Sequence, residues 1–318
     1  MRTWLMDTFG LAVPVVSAPM AGVAGGALAA AVSHAGGLGM VGVGAAATPE
    51  WITQECRVAA AVGAPFGVGL QAWALEHNPG QLDAVLAAGP ALVSLSYGPY
   101  AKHLPRLRRA GLTVATTVCN LHEARAAESA GIDVIVARGG EGGGHGRDDV
   151  GTLPLLQSVL ETVTTPVLAA GGIGTSRGLA AVVAAGSAGA WMGTAFLACS
   201  EASTSPAARA RLIAATDTDT VYGRVFDIGA RAGWPREFGE RALRNAFFDR
   251  WTGHEDELAN DDSAAQQMAQ ASEAEDFDTA KLDAGQGVAL LRSEVSAADI
   301  VAELAQAAEL LRRAAKGH

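Results

Sequence analysis

The chain has 318 residues, of which 49% are hydrophobic and 18% charged, so it holds enough apolar side chains for a large core and is not globally disordered. Acidic residues outnumber basic residues 33 to 23, and the formal net charge is -10. Nucleic acids and anionic membrane surfaces are excluded as partners, because no run of basic residues is available to neutralise them.

The first segment needs a test for membrane insertion. Residues 10–49 contain no Asp, Glu, Lys or Arg, and that length could span a bilayer. Pro14, Pro19 and the many small residues favour a buried strand-turn-helix-strand segment instead. The first residues hold one Arg, then Asp7 and only a short apolar run, so we expect no secretory signal. The three cysteines are widely spaced without a Cys-x-x-Cys pair. These features predict a cytoplasmic protein with no disulfide framework, no metal site and no membrane segment.

Short apolar runs recur along the first two thirds of the chain, and each is followed by a segment with helical character. The runs lack strict polar alternation, which is typical of strands buried on both faces of a parallel sheet. Eight such units predict an α/β fold of the (β/α)8 TIM-barrel type, with a doubly wound sheet as the alternative. The predicted strands span residues 13–18, 38–43, 66–70, 91–95, 112–117, 133–138, 166–170 and 188–192.

The loops after the first and third predicted strands carry two candidate binding elements. Residues Pro19, Met20, Ala21 and Gly22 follow the first strand, and Met20 could pack on an aromatic ring system or simply belong to the core. Alternation along the third strand places Gln71 at its end, where it could hydrogen-bond a ligand edge or face water. Both elements are predicted to bind a cofactor.

The segment after the sixth predicted strand reads GGEGGGHG at residues 139–146. Each glycine in regular structure costs roughly 1 kcal/mol relative to Ala, so the run needs a reason, and close approach to a flat ligand is one. We therefore predict that Gly143 and Gly144 contact a cofactor. His145 is the predicted catalytic base, because a neutral imidazole can abstract a proton near pH 7, and a solvated loop histidine is the alternative.

Glycine-rich loops also follow the seventh and eighth predicted strands, where barrels often bind a phosphate group. Glycines allow backbone N–H groups to approach an anion, and the helix that begins near Ser176 adds its positive dipole end. The alternative is that the glycines only form tight turns. The predicted phosphate-binding residues are Ala170, Gly171, Gly172, Gly193 and Thr194.

The repeating pattern ends near residue 198. Residues 201–282 mix charged, aromatic and polar side chains, and we predict a mostly helical insertion or lid near the substrate site. Residues 1–200 and 283–318 are predicted to form the barrel. A capping box, Ser296 with Asp299, begins a predicted amphipathic helix that returns to the barrel wall.

Tyr97 and Tyr100 are candidates for the substrate border. The following histidines have surface-like neighbours and no predicted role: His103, His122, His254 and His318.

Taken together, these motifs resemble the nitronate monooxygenase (formerly 2-nitropropane dioxygenase) family of FMN-dependent barrels. The resemblance depends on APMAG at 18–22, AAAVSHAGGLG at 29–39, VSLSYGP at 93–99, the loop at 141–145 and AAGGI at 169–173. It implies FMN held by its phosphate at the two glycine-rich loops and His145 acting as the base on nitroalkanes. In this family the flavin accepts one electron from a nitronate, and O2 completes its conversion to a carbonyl compound and nitrite.

The resemblance leaves two other functions open. Flavin-dependent enoyl-acyl-carrier-protein reductases share the fold and a Gly-Gly-His loop, and they imply an NAD(P)H-dependent enzyme acting on enoyl thioesters or quinones. The other function left open is that of a barrel that binds FMN or a phosphorylated metabolite without turnover. The chain departs from the family at Gly69, where Asn is frequent, and at Ser158, where Gln is frequent. The predicted partners are a small nitronate or nitroalkane and O2, and a homo-oligomer is compatible with the sequence.

Overall fold

The computed structural model describes residues 2–316, so His318 lies outside the described residues. The strands, in chain order, are β1 (Val15–Ser17), β2 (Gly39–Gly42), β3 (Phe66–Gln71), β4 (Leu92–Ser96), β5 (Thr113–Val118), β6 (Val134–Arg138), β7 (Gly144–Gly146), β8 (Val167–Ala170), β9 (Gly189–Met192), β10 (Thr220–Gly223) and β11 (Gly239–Leu243).

The helices follow the strands in a regular alternation through the first two thirds of the chain. They are α1 (Trp4–Phe9), α2 (Gly26–His34), α3 (Pro49–Ala60), α4 (Gly80–Ala88), α5 (Leu104–Arg109), α6 (Leu121–Ala130), α7 (Thr152–Leu160), α8 (Ser176–Ala184), α9 (Pro206–Ala214), α10 (Val225–Gly229), α11 (Ala246–Trp251), α12 (Glu255–Leu258), α13 (Asp262–Glu273), α14 (Ala297–Leu304) and α15 (Ala307–Lys316). Short 3-10 helices span Ala74–Glu76, Tyr100–His103, Thr194–Phe196 and Gln286–Leu290.

The predicted TIM barrel is confirmed. Eight parallel strands form one sheet in the order β1-β9-β8-β6-β5-β4-β3-β2. A parallel bridge between Val16 and Leu38 brings the two edge strands, β1 and β2, together and closes the barrel. Each strand lies within two residues of its predicted position, because every one is a short apolar run whose backbone is buried from both sides.

Alternate residues of the strands pack into two different layers, as the two-residue repeat of a strand requires. Val15, Val41 and Val68 face outward and pack with the helices. Val16 and Met40 face the barrel interior, whose lower end is closed by α1. Glycines replace larger side chains at two interior positions of β3, where Met40 and Pro19 occupy the room.

The C-terminal segment completes the ring of helices. The Ser296–Asp299 capping box begins α14, as predicted. The chain then turns at residues 305–306 and continues as α15, so the predicted single amphipathic helix is two helices. The break follows from packing, since α14 packs mainly on α2 whereas α15 packs on α8.

Residues 201–282 contain α9 to α13 and also two strands that the sequence did not indicate. Strands β10 and β11 pair antiparallel, and β11 pairs on its other edge with β7, so that His145 lies opposite Glu240. The aromatic side chains of this segment divide between two roles. Phe226, Phe247 and Trp251 form a small core of their own, whereas Trp234 turns toward the barrel.

Two further features bear on the sequence predictions. Across the described residues, no helix is both long and apolar enough to cross a membrane. Cys56, Cys119 and Cys199 are buried free thiols, as expected from their spacing. Burial raises the pKa of the Cys56 thiol to about 12, so it is not a reactive thiolate.

Candidate active site

A cavity of about 1330 Å³ opens at the C-terminal ends of the barrel strands. Active sites of barrels lie at this end, because the loops that follow the strands converge there. The structure brings every predicted site residue to this one cavity. They are Pro19, Met20, Ala21, Gly22, Gln71, Gly143, Gly144, His145, Ala170, Gly171, Gly172, Gly193 and Thr194.

One side of the cavity is formed by the loops after β8 and β9. Gly171 and Gly172 have positive φ values of 110° and 69°, a conformation that favours glycine. The backbone N–H groups of Gly171, Gly172, Gly193 and Thr194 have no protein hydrogen-bond partner within residues 2–316. Converging unpaired amides of this kind are suited to bind a phosphate.

The helix that begins at Ser176 contributes less to this anion site than the sequence suggested. Its first amide N–H donates to the carboxylate of Glu303, with N–O distances of 3.0 and 3.2 Å, and the Ser176 hydroxyl donates to the same group at 2.6 Å. Glu303 comes from α14 and already neutralises the positive end of α8. The free amides therefore lie in the loops and not at this helix terminus.

The opposite side of the cavity carries Met20 and Gln71. The Gln71 side-chain oxygen is buried without a hydrogen-bond partner in the described chain. A Cβ atom at Gly69 would lie 2.3 Å from Cγ of Pro19, so an asparagine cannot fit there while Pro19 holds its place. Ser158, the second departure, is exposed on α7 and lies outside the cavity lining.

Contacts within the protein are a second reason for the glycines of residues 139–146, beside the expected approach to a flat ligand at Gly143 and Gly144, which both line the cavity. A Cβ atom at Gly139 would lie 2.2 Å from the Thr152 nitrogen, and one at Gly143 would lie 2.5 Å from the Gly285 nitrogen. Only Gly144 has open space around it, and its φ of 64° requires the left-handed region.

Arg138, at the end of β6, holds this loop in place through hydrogen bonds to its backbone carbonyls. Its side chain is only 5% exposed, and its guanidinium donates to the carbonyls of Gly144 at 3.0 Å and Arg147 at 2.9 Å, as well as to Gly142. No carboxylate lies within 4 Å of this guanidinium among residues 2–316. The buried charge is therefore stabilised by backbone carbonyls on both sides of His145.

His145 is covered and held on several sides. Its Nε2 atom lies 3.0 Å from both carboxylate oxygens of Asp227, and its side chain is 10% exposed. The Trp234 ring stacks on the imidazole at 3.4 Å between centroids, with 7° between the planes. The Tyr97 hydroxyl donates to the His145 carbonyl at 3.2 Å. The histidine is thus an oriented side chain at the cavity wall and not a solvated loop residue.

An aromatic wall continues from Trp234 around the cavity. Tyr97 contacts Trp234 and Phe238 edge to face, and Trp73 lies 5.4 Å from Trp234. The φ of Tyr97 is 64°, which lies in the left-handed region. In a residue other than glycine this conformation costs roughly 1–3 kcal/mol and persists only where the surrounding packing fixes it. Tyr97 lines the cavity as expected, whereas Tyr100 does not.

Among the histidines without a predicted role, His122 and His254 are exposed and His103 is half-buried.

A buried group of charges lies behind His145. Glu240 is fully buried, and one of its oxygens contacts the Lys281 ammonium at 2.5 Å and lies 3.5 Å from His145 Nε2. Burial raises the pKa of Glu240 to about 8, the Asp283 and Asp227 carboxylates add to this, and Lys281 opposes it. Burial alone would lower the pKa of Lys281, but the carboxylates of Asp283 and Glu240 raise it. Lys281 is therefore charged, and Glu240 ionises less readily than an ordinary glutamate.

Glu240 makes the stability of the protein depend on pH. Its pKa of about 8 lies above the ordinary value of 4.5. At a pH between these two values, the folded state keeps a proton on Glu240 that the unfolded chain has released. Stability therefore falls as pH rises through this window. We expect the melting temperature of wild type to fall as the pH is raised from about 6 to 9, and that of Glu240→Gln to fall less. The difference between the two proteins therefore shifts in favour of the variant. Glu237→Gln, which changes an exposed carboxylate nearby, serves as the control, and equal pH slopes for wild type and Glu240→Gln would contradict the assignment.

Sequence reasoning missed Asp227, Glu240, Lys281 and the role of Arg138. Asp227 lies 82 residues from His145 along the chain, and no local pattern connects the two. An arginine at the end of a strand that is otherwise apolar was the one usable signal, because a charge at such a position needs a buried partner.

The chain is similar in sequence and fold to several known proteins. The family model described as "Nitronate monooxygenase" matches residues 2–80 and 76–307. A nitronate monooxygenase of Paraburkholderia phytofirmans is 32% identical over 97% of each chain. The structure of nitroalkane oxidase from Streptomyces ansochromogenes superposes with a TM-score of 0.82 and 33% identity, covering 98% of this chain and 99% of that one. FabK from Thermotoga maritima, an enoyl reductase, gives a TM-score of 0.86 at 28% identity, covering 100% and 99%.

Proposed function

The chain belongs to the nitronate monooxygenase family, and from that premise we propose that it oxidises alkyl nitronates, which arise from nitroalkanes, with O2 to a carbonyl compound and nitrite. Its family and structural neighbours are flavin-dependent oxidoreductases, and it is an enzyme of this kind. The observation that carries the proposal is His145, an oriented imidazole at the wall of the cavity.

FMN is the cofactor that we propose, and the residues of the cavity fit it. A volume of about 1330 Å³ exceeds the 300–1,000 Å³ typical of a site for one ligand, so a cofactor and a substrate can be bound together. The free amides of Gly171, Gly172, Gly193 and Thr194 would hold the phosphate. The unpaired Gln71 oxygen, with Pro19 to Gly22 and Gly143 to Gly144, would contact the ring system. When bound, FMN supplies the electron-accepting ring for the oxidation.

The chain's own residues perform the proton chemistry in this proposal. The aromatic wall of Trp73, Tyr97 and Trp234 excludes water and provides an apolar surface for the alkyl part of the substrate. His145 takes the proton from the carbon next to the nitro group, and the electron pair stays on the resulting nitronate. Residues 201–282, which supply Trp234 and Asp227, act as the lid over the barrel of residues 1–200 and 283–318.

The proposal is tested with the purified protein supplied with FMN under anaerobic conditions. We expect the absorbance of the oxidised flavin to fall on addition of ethyl nitronate, because this substrate donates one electron to the flavin in the proposed reaction. Admission of O2 should restore the absorbance and release nitrite. A protein that binds flavin but keeps its absorbance with ethyl nitronate would contradict the proposal.

A second candidate function has one specific observation in its favour. FabK covers the whole chain with a TM-score of 0.86, so an NAD(P)H-dependent reduction of enoyl thioesters or quinones fits the same barrel. The anaerobic experiment separates the two, since NADH or NADPH alone would bleach the flavin of a reductase. Flavin that is bound tightly and inert to all three donors would favour a barrel that binds without turnover.

A further inference from the structure

We infer, on the basis of the proposed function, that Asp227 is the positioning residue of His145, and that its carboxylate holds the Nε2 proton so that Nδ1 is the basic atom. Asp227 belongs to α10 in the 201–282 segment, whereas His145 belongs to the barrel. The proton-accepting group would thus be assembled from two distant parts of the chain.

The distances assign the donor and the acceptor. An ionised carboxylate can only accept hydrogen bonds, and Nε2 of His145 lies 3.0 Å from both oxygens of Asp227. Nε2 must therefore carry a hydrogen. In a neutral imidazole one ring nitrogen donates and the other accepts, so the lone pair is on Nδ1. Nδ1 has no side-chain or backbone partner within the described part of the chain, and the ring lines the cavity.

Glu240 does not serve as this acceptor. Its nearer oxygen is 3.5 Å from Nε2, beyond the usual 2.7–3.2 Å of such a bond, and that oxygen already contacts Lys281 at 2.5 Å. His145, Asp227 and Glu240 also lie close enough together to bind a metal ion. The Lys281 ammonium already supplies the positive charge at Glu240, so we assign the cluster to proton handling.

The Asp227 carboxylate is dedicated to His145. It is 2% exposed, and its only side-chain hydrogen-bond or ion-pair partner among residues 2–316 is His145. A carboxylate this deeply buried is costly unless a donor satisfies it, and His145 is that donor. After the C–H bond of a nitroalkane breaks and an N–H bond forms at Nδ1, the imidazolium faces this carboxylate in a site of low dielectric, which stabilises it.

The surroundings of His145 fix its backbone and the plane of its ring. Trp234 covers its face at 3.4 Å, β7 pairs with β11 at His145, and Tyr97 donates to the His145 carbonyl. These contacts hold the backbone and the ring plane, whereas Asp227 alone selects which nitrogen is protonated. Removing the carboxylate should therefore change the tautomer before it changes the fold.

The test uses flavin-loaded wild type, Asp227→Asn and Asp227→Glu. Asp249→Asn is the matched control, because it changes an exposed aspartate of the same segment that pairs with Arg244 outside the cavity. For Asp227→Asn we expect kcat/KM for nitroethane to fall by about tenfold or more, with kcat/KM for preformed ethyl nitronate kept within about twofold. Asp227→Glu should recover part of the loss, and Asp249→Asn should match wild type.

A second readout is independent of turnover. The ¹⁵N spectrum of labelled histidine, with the His145 signals assigned by their loss in His145→Asn, should show the Nε2–H tautomer in wild type and its loss in Asp227→Asn. An Nδ1–H tautomer in wild type, or full nitroethane activity in Asp227→Asn, would overturn the inference. A wild type that oxidises neither substrate would instead reject the proposed function, and the tautomer would still decide the role of Asp227.

Discussion

Replacing His145 with asparagine is expected to lower kcat/KM for neutral nitroethane by about 10²–10⁴-fold, the range that a positioned general base contributes. The same change should leave kcat/KM for preformed ethyl nitronate nearly unaltered, because this substrate has already lost the proton. Asparagine is small enough for the space between Trp234 and Asp227 and keeps the backbone pairing of β7 with β11. Steady-state rates with both substrates, measured as nitrite release, check this result.

The control for this prediction is His122→Asn, which changes an exposed histidine on α6. It should behave as wild type with both substrates. Equal losses with nitroethane and ethyl nitronate in His145→Asn would show that the histidine binds substrate or supports the loop, and would remove its role as base.

Replacing Arg138 with methionine is expected to lower the free energy of unfolding by about 3 kcal/mol, since hydrogen bonds from a charged donor contribute roughly 1.5–3 kcal/mol each. The buried carbonyls of Gly142, Gly144 and Arg147 would lose their donor. Arg138→Lys should recover only part of the loss, because one ammonium cannot match the planar fork of the guanidinium. Denaturant unfolding of the three proteins measures the differences.

Arg125→Met provides the comparison for Arg138, because Arg125 is exposed on α6. Its stability should stay within about 0.5 kcal/mol of wild type, as is usual for surface changes. A fully stable Arg138→Met would show that the glycine-rich loop keeps its shape without the guanidinium. In that case the six-glycine segment would owe its conformation to the contacts of Gly139 and Gly143 with the surrounding backbone.

The barrel could be predicted from sequence because its determinants are local. Each strand is a run of apolar residues such as Leu92–Ser96, buried on both faces, and its position depends on no distant residue. Once the strands were placed, the topology of a barrel required their following loops to meet at one end. This is why Pro19, Gln71, His145 and Thr194, which are far apart in sequence, were all expected in one cavity and are found there.

Other features depended on contacts between distant segments. The strands β10 and β11 form because β7 offers an edge to pair with, and the sequence of residues 201–282 alone indicated helices. Several glycines around His145 are needed because Thr152, Arg138 and Gly285 approach them closely, a requirement that the sequence alone did not reveal. Glu303, from α14, occupies the terminus of α8 that was expected to face a phosphate.

The sequence by itself therefore determined the eight-stranded barrel, the end at which the site lies and the identity of the histidine at its wall, since apolar runs and glycine-rich loops are local patterns. Only the tertiary structure decided the surroundings of that histidine. Asp227, Trp234 and Glu240 reach His145 from a segment more than 80 residues away, and their contacts follow from packing that leaves no periodic signal in the chain.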